Sequence, residues 1–169
     1  MYKRQPFDAE ILRAITEGES QSRAVSVLAW DGVAIAVFAT GDVIKADAAE
    51  TISALHERGI ETWLLTGDNA ESATKIASVV GISSDRIIAT ATPEAKLAKI
   101  VELQSAGRHV MMVGDGINDA AALAQSDLSI AMGTGTDTAI ATADITLMRA
   151  QLMGVIEALA LSRRTLRTI

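Results

Sequence analysis

The 169-residue sequence contains no cysteine, which excludes a disulfide framework, a thiolate metal site and a cysteine nucleophile. Aromatic residues make up only 3% although hydrophobic residues make up 49%. A core must therefore be built from Ala, Val, Ile and Leu, which is typical of parallel α/β packing. The length suffices for one domain with a substantial core, and we expect it to belong to a reducing compartment.

The sequence also has no excess of basic residues. Lys plus Arg number 15 against 21 for Asp plus Glu, a net charge of -6. Since no basic field is present to release counterions, nucleic acid is excluded as a partner. No apolar run approaches the roughly 20 residues that cross a bilayer, and the polar N-terminus is unlike a signal peptide. We therefore expect the chain by itself to be soluble.

The N-terminal part of the chain predicts one helix and one β-hairpin. Residues 7–17 carry apolar side chains at helical spacing. The apolar runs 24–30 and 33–39 flank Asp31-Gly32, and Asp-Gly between two such runs is a strong hairpin signal. Residues 1–5 fit no pattern and are candidates for a non-native leader.

Beyond Gly41 the pattern changes to an alternation of helices and short apolar strands. Helices are predicted over 46–58, 70–80, 93–106, 119–125 and from Leu152 to the C-terminus, and strands over 61–65, 86–89, 109–113, 128–131 and 145–148. Such alternation implies a parallel sheet covered by helices. The predicted fold class is therefore α/β, with a Rossmann-like parallel sheet flanked by helices.

The sharpest chemical signal is Gly-Asp-Gly-Ile-Asn-Asp over 114–119, directly after an apolar strand. In open α/β sheets, ligands bind at the carboxyl ends of the strands. Asp115 is a candidate Mg²⁺ ligand, because Mg²⁺ prefers oxygen donors, and Asn118 and Asp119 would position the metal and a phosphate. The alternative is that Asn118 or Asp119 only caps the following helix.

A second strand ends in Thr66-Gly67-Asp68-Asn69. The Thr66 hydroxyl, the Gly67 backbone N–H and the positive end of the next helix together suit a phosphoryl oxygen. A plain helix cap by Asp68 or Asn69 is the alternative.

Lys96 lies in the first turn of a predicted helix that begins near Pro93. A cation at that position opposes the helix dipole, which hints at a role beside a phosphate, whose charge it would offset. The alternative is a solvated surface lysine.

In their order along the chain, these three motifs resemble the haloacid-dehalogenase-like phosphorylation domain of P-type cation-transporting ATPases. The stretches 131–140, 143–148 and 161–169 carry the same likeness, and the last two resemble the heavy-metal subgroup, with copper exporters nearest. The likeness covers residues 24–169.

The resemblance implies a role for each motif residue. Thr66 and Gly67 would hold the phosphoryl group, Asp68 would be a catalytic residue of the same motif, and Lys96 would neutralise the phosphoryl charge. Asp115 and Asp119 would hold Mg²⁺, Asn118 would complete the site with Asp119, and Gly114 and Gly116 would be cofactor-binding positions. In such enzymes ATP phosphorylates an aspartate, and hydrolysis of that phosphoenzyme is coupled to ion movement.

The resemblance also implies an organisation and a set of partners. Residues 1–41 would be the tail of a nucleotide-binding domain, and residues 42–169 a phosphorylation domain ending in the helix that leads to the membrane part. The partners would be the rest of the transporter, namely its nucleotide-binding, actuator and membrane domains. The intact protein would use ATP and Mg²⁺ on the cytoplasmic side of the cell membrane.

The sequence departs from the family at the nucleophile. The family's Asp-Lys-Thr-Gly-Thr motif is absent, and Asp31-Gly32 lacks the Lys and both Thr residues and is better explained as a hairpin turn. We therefore expect a fragment of such an ATPase that is inactive alone. The alternatives are a stand-alone phosphatase of the same superfamily, whose Asp-x-Asp motif is also absent, and a non-catalytic regulatory module.

Overall fold

The structure, a computed structural model, describes residues 8–20, 24–41, 43–115, 117–133, 137–149 and 151–168. These residues form two compact units, one ending at Ile44 and the other beginning at Lys45. Two sets of predictions, those for residues 1–5 and for Gly116, lie outside the described residues. No helix in the described ranges is long and apolar enough to cross a membrane.

The first unit consists of helix α1 (Ala9–Ser20) and an antiparallel hairpin of β1 (Ala24–Trp30) and β2 (Val33–Thr40). The Asp8 carboxylate accepts hydrogen bonds from two backbone N–H groups of the first helical turn, which starts α1. The hairpin turn is Asp31-Gly32, with φ of 48° and 78°, the left-handed conformation that Asp-Gly readily adopts. The predicted helix and hairpin are both present, and Asp31 is a turn residue.

The second unit contains the alternating elements. They are α2 (Ala48–His56), β3 (Leu64–Leu65), α3 (Ala70–Val80), β4 (Ile87–Ile88), α4 (Pro93–Ser105), β5 (Met111–Gly114), α5 (Ala120–Gln125), β6 (Leu128–Met132), α6 (Asp137–Thr142), β7 (Ile145–Leu147) and α7 (Met153–Leu166). Two 3₁₀ turns, Ser84–Arg86 and Ile117–Asp119, precede β4 and α5.

All strands of the second unit pair in parallel, as predicted. In the described residues β3 pairs with β4, and β5, β6 and β7 form a three-stranded sheet in that order. Parallel pairing brings the carboxyl ends of the strands, and the loops that follow them, to one edge of each sheet. The predicted α/β fold class is confirmed.

The core lies on both sides of β5. Met112 packs with Ile100 of α4 and Leu123 of α5 on one side, and Met111 and Val113 pack against the core cluster of α2, β6 and α7 on the other. Side chains of successive strand residues point to opposite faces, so a strand covered on both faces is apolar throughout.

The sequence pattern misplaced some elements. β3 and β4 are shorter than predicted, the predicted helix over 119–125 begins as a 3₁₀ turn, and α6 was not predicted at all. α6 has only six residues, too few to display a helical period clearly.

Candidate functional site

The loop after β3 is held in place by the loop after β4. The Thr66 N–H donates to Ile88 O at 3.0 Å, the Ala91 N–H donates to Thr66 O at 2.8 Å, and the Thr90 N–H donates to Asp68 O at 2.7 Å. The predicted phosphate loop is therefore anchored to the loop after β4 through the backbone of Thr66 and Asp68.

One polar side chain of this loop caps a helix, and two others do not. Asn69 caps α3, because its Oδ1 accepts the Ser72 N–H at 2.9 Å. The capping alternative thus holds for Asn69, whereas Asp68 is exposed and its backbone N–H donates to Thr66 Oγ1 at 3.1 Å. Because the Thr66 oxygen acts as the acceptor, the hydroxyl proton remains available to a further acceptor.

Lys96 and Asp119 form the most buried ion pair of the described residues. Lys96 Nζ lies 2.6 Å from Asp119 Oδ1, and the two side chains are only 12% and 10% exposed. Thr92 caps α4 through the Ala95 N–H, and Pro93 occupies its first turn, so the helix start places Lys96 over the end of β5. The alternative of a solvated Lys96 does not hold.

Asp119 is the residue before α5, yet its side chain makes no capping hydrogen bond. It packs instead against Gly114, where an added Cβ would lie 2.9 Å from both Asp119 Cβ and Asp119 Oδ2. Gly114 is therefore required by the close approach of a buried carboxylate, a local reason that the sequence pattern alone did not reveal.

Asp115 and Asn118 are exposed at the carboxyl end of β5, and Gly116 lies outside the described residues. In the described ranges no hydrogen bond or ion pair joins Lys96 or Asp119 to Thr66 or Asp68. The structure thus brings Lys96, Asp119 and Gly114 together, and it leaves Thr66 to Asp68 at the end of the neighbouring sheet.

The donors at this edge suit a magnesium ion with few protein ligands. No group of three His, Cys, Asp or Glu residues is placed to hold a metal in the part of the chain that the structure describes. Mg²⁺ is commonly bound by one or two carboxylates together with waters and substrate phosphate oxygens. Asp115 fits that role directly, while the carboxylate of Asp119 is already bonded to an ammonium group.

Two carboxylates that the sequence did not single out connect the amino ends of the strands. Asp127 Oδ2 accepts the Val110 N–H at 2.8 Å, and this bond, followed by one from Gln104, lowers the pKa of Asp127. Asp144 Oδ2 accepts from Ser129 Oγ and Ser129 N, which lowers the pKa of Asp144. They lie at the opposite end of the sheet from the site and serve the scaffold.

Comparison with known proteins identifies the family of the chain. A model of the family described as haloacid dehalogenase-like hydrolase matches residues 2–127. The probable copper-exporting P-type ATPase V of Mycobacterium tuberculosis is 48% identical over 92% of this chain, and copper-transporting ATPase 2 of Homo sapiens is 42% identical over 96% of it. The chain spans 20% and 11% of the length of these two relatives.

Solved structures show the same fold. A zinc-transporting PIB-type ATPase in its E2·Pi state matches 94% of this chain and 26% of its own, with 36% identity and a TM-score of 0.75. The catalytic domain of the CPx-ATPase CopB-B matches 79% of this chain and 56% of its own, with 28% identity and a TM-score of 0.64. The resemblance to heavy-metal P-type ATPases is thereby confirmed, and the chain belongs to the haloacid dehalogenase-like hydrolase family.

Proposed function

We propose that this chain is part of an ATP-driven heavy-metal cation transporter, with copper as the cation, and contributes the Mg²⁺- and phosphoryl-binding part of its phosphorylation site. The names of its relatives support the transport of copper. The observation that carries the proposal is the largely buried Lys96–Asp119 pair, whose carboxylate packs against Gly114 at the end of a parallel strand, one residue before the exposed Asp115.

Lys96 would neutralise a phosphoryl group without losing its partner. An ammonium group has three N–H donors, and Asp119 Oδ1 takes one of them. The buried carboxylate holds Nζ in one place, so a phosphoryl oxygen meets a positioned cation, which is how charge stabilisation in phosphoryl transfer works. Asn118 is exposed in the 3₁₀ turn Ile117–Asp119, which precedes α5, and it would complete the site together with Asp119.

Thr66 and Gly67 would hold the phosphoryl oxygens from the other side. The Thr66 hydroxyl proton and the Gly67 N–H are donors on a loop that the β4 loop fixes in position. Gly67 has only Ala91 O near the place a Cβ would occupy, at 3.9 Å, so a ligand can approach its backbone. Asp68, the third residue of the Thr-Gly-Asp motif, belongs to the proposed set of catalytic residues.

Asp115 would be the principal ligand of Mg²⁺, with phosphate oxygens and waters supplying the rest of its coordination. Bound there, the ion would offset negative charge on the phosphoryl oxygens. Asp119 as a second ligand and Gly114 and Gly116 as cofactor-binding positions complete the proposed set.

The chain alone would not turn over ATP. Its sequence has no Asp-Lys-Thr-Gly-Thr motif, and Asp31 occupies a hairpin turn of the first unit. Charge stabilisation without an attacking carboxylate yields no covalent intermediate. In the intact protein, residues 1–41 would be the tail of the nucleotide-binding domain and residues 42–169 the phosphorylation domain, working with actuator and membrane domains on the cytoplasmic side of the cell membrane.

Magnesium binding by calorimetry tests the site. We expect a Kd on the order of millimolar for Mg²⁺ alone, since the protein supplies few charged ligands. Asp115→Asn should abolish the measurable heat, while Asp85→Asn, an exposed carboxylate beyond α3, should leave it unchanged. Sub-micromolar affinity, or binding that survives Asp115→Asn, would contradict the proposal.

Incubation with γ-labelled ATP and Mg²⁺ tests the predicted inactivity. No acid-stable, hydroxylamine-sensitive phosphoprotein should form. If it formed, or if the chain hydrolysed p-nitrophenyl phosphate and lost that activity in Asp31→Asn, the chain would be a complete enzyme instead.

A further inference from the structure

Two non-glycine residues of the described ranges, Asp31 and Thr90, adopt the left-handed backbone conformation, with φ of 48° and 50°. The hairpin turn accounts for Asp31. Thr90 lies between β4 and α4 and belongs to no helix or strand. A β-branched residue is a genuine outlier in this conformation, which persists only where the surrounding contacts enforce it. The backbone of Thr90 therefore requires an explanation outside its own turn.

The side chain of Thr90 does not supply that explanation. It is exposed, and its hydroxyl donates only to the neighbouring carbonyl of Ala89, at 2.8 Å. The backbone contacts are more telling, because Thr90 N–H donates to Asp68 O and the next N–H, that of Ala91, donates to Thr66 O. In an extended chain successive N–H groups point in opposite directions. The left-handed conformation of Thr90 thus accompanies the donation of two successive N–H groups to one loop.

These bonds fix the phosphate loop around one free donor. The carbonyls of Thr66 and Asp68 are both occupied by the loop after β4, and Asp68 N–H donates to Thr66 Oγ1. The N–H of Gly67, between them, donates to no acceptor in the part of the chain that the structure describes. A free N–H between fixed neighbours is a donor already oriented for an anion.

The same short segment also begins the helix that carries Lys96. Thr92 Oγ1 accepts the Ala95 N–H at 3.2 Å, and Thr92 O accepts the Lys96 N–H at 3.0 Å. Only one residue separates Thr90 from Thr92. Residues 90–92 therefore connect the phosphate loop directly to the first turn of α4.

We propose that Thr90 is a positioning residue of the phosphoryl site, whose left-handed backbone sets the place of the Gly67 N–H relative to Lys96. The inference rests on the proposed function, in which both groups contact one phosphoryl group. In such a site a displacement of about 1 Å can cost about a hundredfold in rate. A restricted backbone at Thr90 keeps the two donors at one separation before the ligand arrives.

Phosphate binding by two variants of Thr90 tests the proposal. Inorganic phosphate is titrated into the full chain at fixed Mg²⁺, and the shift of the Gly67 amide in ¹H–¹⁵N spectra gives the Kd. Thr90→Gly should weaken binding about threefold to tenfold, because glycine admits many other conformations. Thr90→Asn should stay within about twofold of the unmodified chain, because asparagine tolerates the left-handed conformation and keeps a side chain.

Stability distinguishes positioning from a merely structural role. The urea midpoint of Thr90→Gly should be unchanged or higher, because glycine adopts a positive φ without strain. Affinity should thus fall while stability does not. The matched control is Asp31→Gly, which makes the same backbone change in the hairpin turn and should leave the Kd for phosphate unchanged.

Four results would overturn the role of Thr90. They are an unchanged Kd in Thr90→Gly, an equal loss of affinity in Thr90→Asn, a urea midpoint of Thr90→Gly that falls together with its affinity, and an equal loss of affinity in Asp31→Gly. In each case phosphate still binds the unmodified chain, so the proposed function stands. If phosphate produced no shift of the Gly67 amide in the unmodified chain, the proposed function and the role of Thr90 would fail together.

Discussion

The unit ending at Ile44 and the unit beginning at Lys45 use similarly apolar strands and bury them very differently. In the hairpin, Trp30 is 72% exposed and Phe38 is 55% exposed. In the three-stranded sheet, Ile130 and Ala131 have no exposed surface. One helix covers one face of a two-stranded hairpin, whereas helices on both sides of the parallel sheet bury four of the five residues of its central strand, β6.

This difference in burial indicates which unit can hold a pair of charged side chains in a fixed position. The Lys96–Asp119 pair belongs to the unit with the closed core, where α4 and α5 are packed on β5. Among the described residues up to Ile44, Gly18 alone is buried, and no ion pair is formed there. A hairpin with one open apolar face lacks the surrounding layers that fix a charged pair.

The largest expected effect is a cavity in the second unit. Leu123→Ala, at a side chain only 1% exposed, should lower the free energy of unfolding by about 3 kcal/mol, within the usual range of about 2–5. Leu28→Ala in the hairpin, at 47% exposure, should cost under about 1 kcal/mol. Urea unfolding followed by circular dichroism measures both, and equal losses would break the comparison.

Removal of the buried cation should come next. Lys96→Met leaves the Asp119 carboxylate without its partner, and we expect a loss of about 2–3 kcal/mol, below the value of a fully buried pair because some exposure remains. The matched control Lys75→Met replaces an exposed lysine of α3 and should cost under about 0.5 kcal/mol.

A double variant sharpens this prediction. Asp119→Asn added to Lys96→Met should recover part of the loss, because the uncompensated charge is removed. If the double variant is no more stable than Lys96→Met, the ion pair is not what makes Lys96 important for stability.

Acid should produce the smallest effect. Hydrogen bonds from Ser129 lower the pKa of Asp144, and the hydrogen bond from the Val110 N–H lowers that of Asp127. A carboxyl whose folded pKa lies below its unfolded value of about 3.9 stabilises the protein above that pH, and the contribution is lost as pH falls through the folded pKa. The urea midpoint should therefore decline below about pH 4.

Two variants locate that acid response in the second unit. Asp144→Asn cannot ionise, and Ser129→Ala removes the leading cause of the lowered pKa. Both should make the midpoint fall less steeply from pH 6 to pH 3 than in the unmodified chain. An unchanged slope in both variants would show that the acid response arises elsewhere.

Local signals predicted the elements well because they act within a few residues. α3 was predicted over 70–80 and has those bounds, with Asn69 as its cap and Gly81 in the left-handed conformation at its end. The predicted hairpin turn lies at Asp31-Gly32, and α4 begins at Pro93, where the sequence predicted its start. In each case the backbone preference of the residue itself is sufficient.

Long-range contacts were not predictable in the same way. Lys96 and Asp119 are 23 residues apart, and no period in the sequence connects them. The Thr90 N–H that holds the Asp68 carbonyl belongs to a residue with φ of 50°, a conformation that no glycine signals at this position. The division of the strands into two ladders is likewise a matter of pairing, which periodicity does not encode.

The sequence by itself determined the α/β alternation, the hairpin, the motifs at the carboxyl ends of the strands and the absence of the family's nucleophile motif, because periodicity, turn chemistry and motif spacing are local properties. Only the tertiary structure decided that Asp119 pairs with Lys96 instead of capping α5, and that Gly114 is the space in which its carboxylate lies. These outcomes depend on which helix packs over which strand, and that choice follows from the burial of a whole core rather than from any single segment.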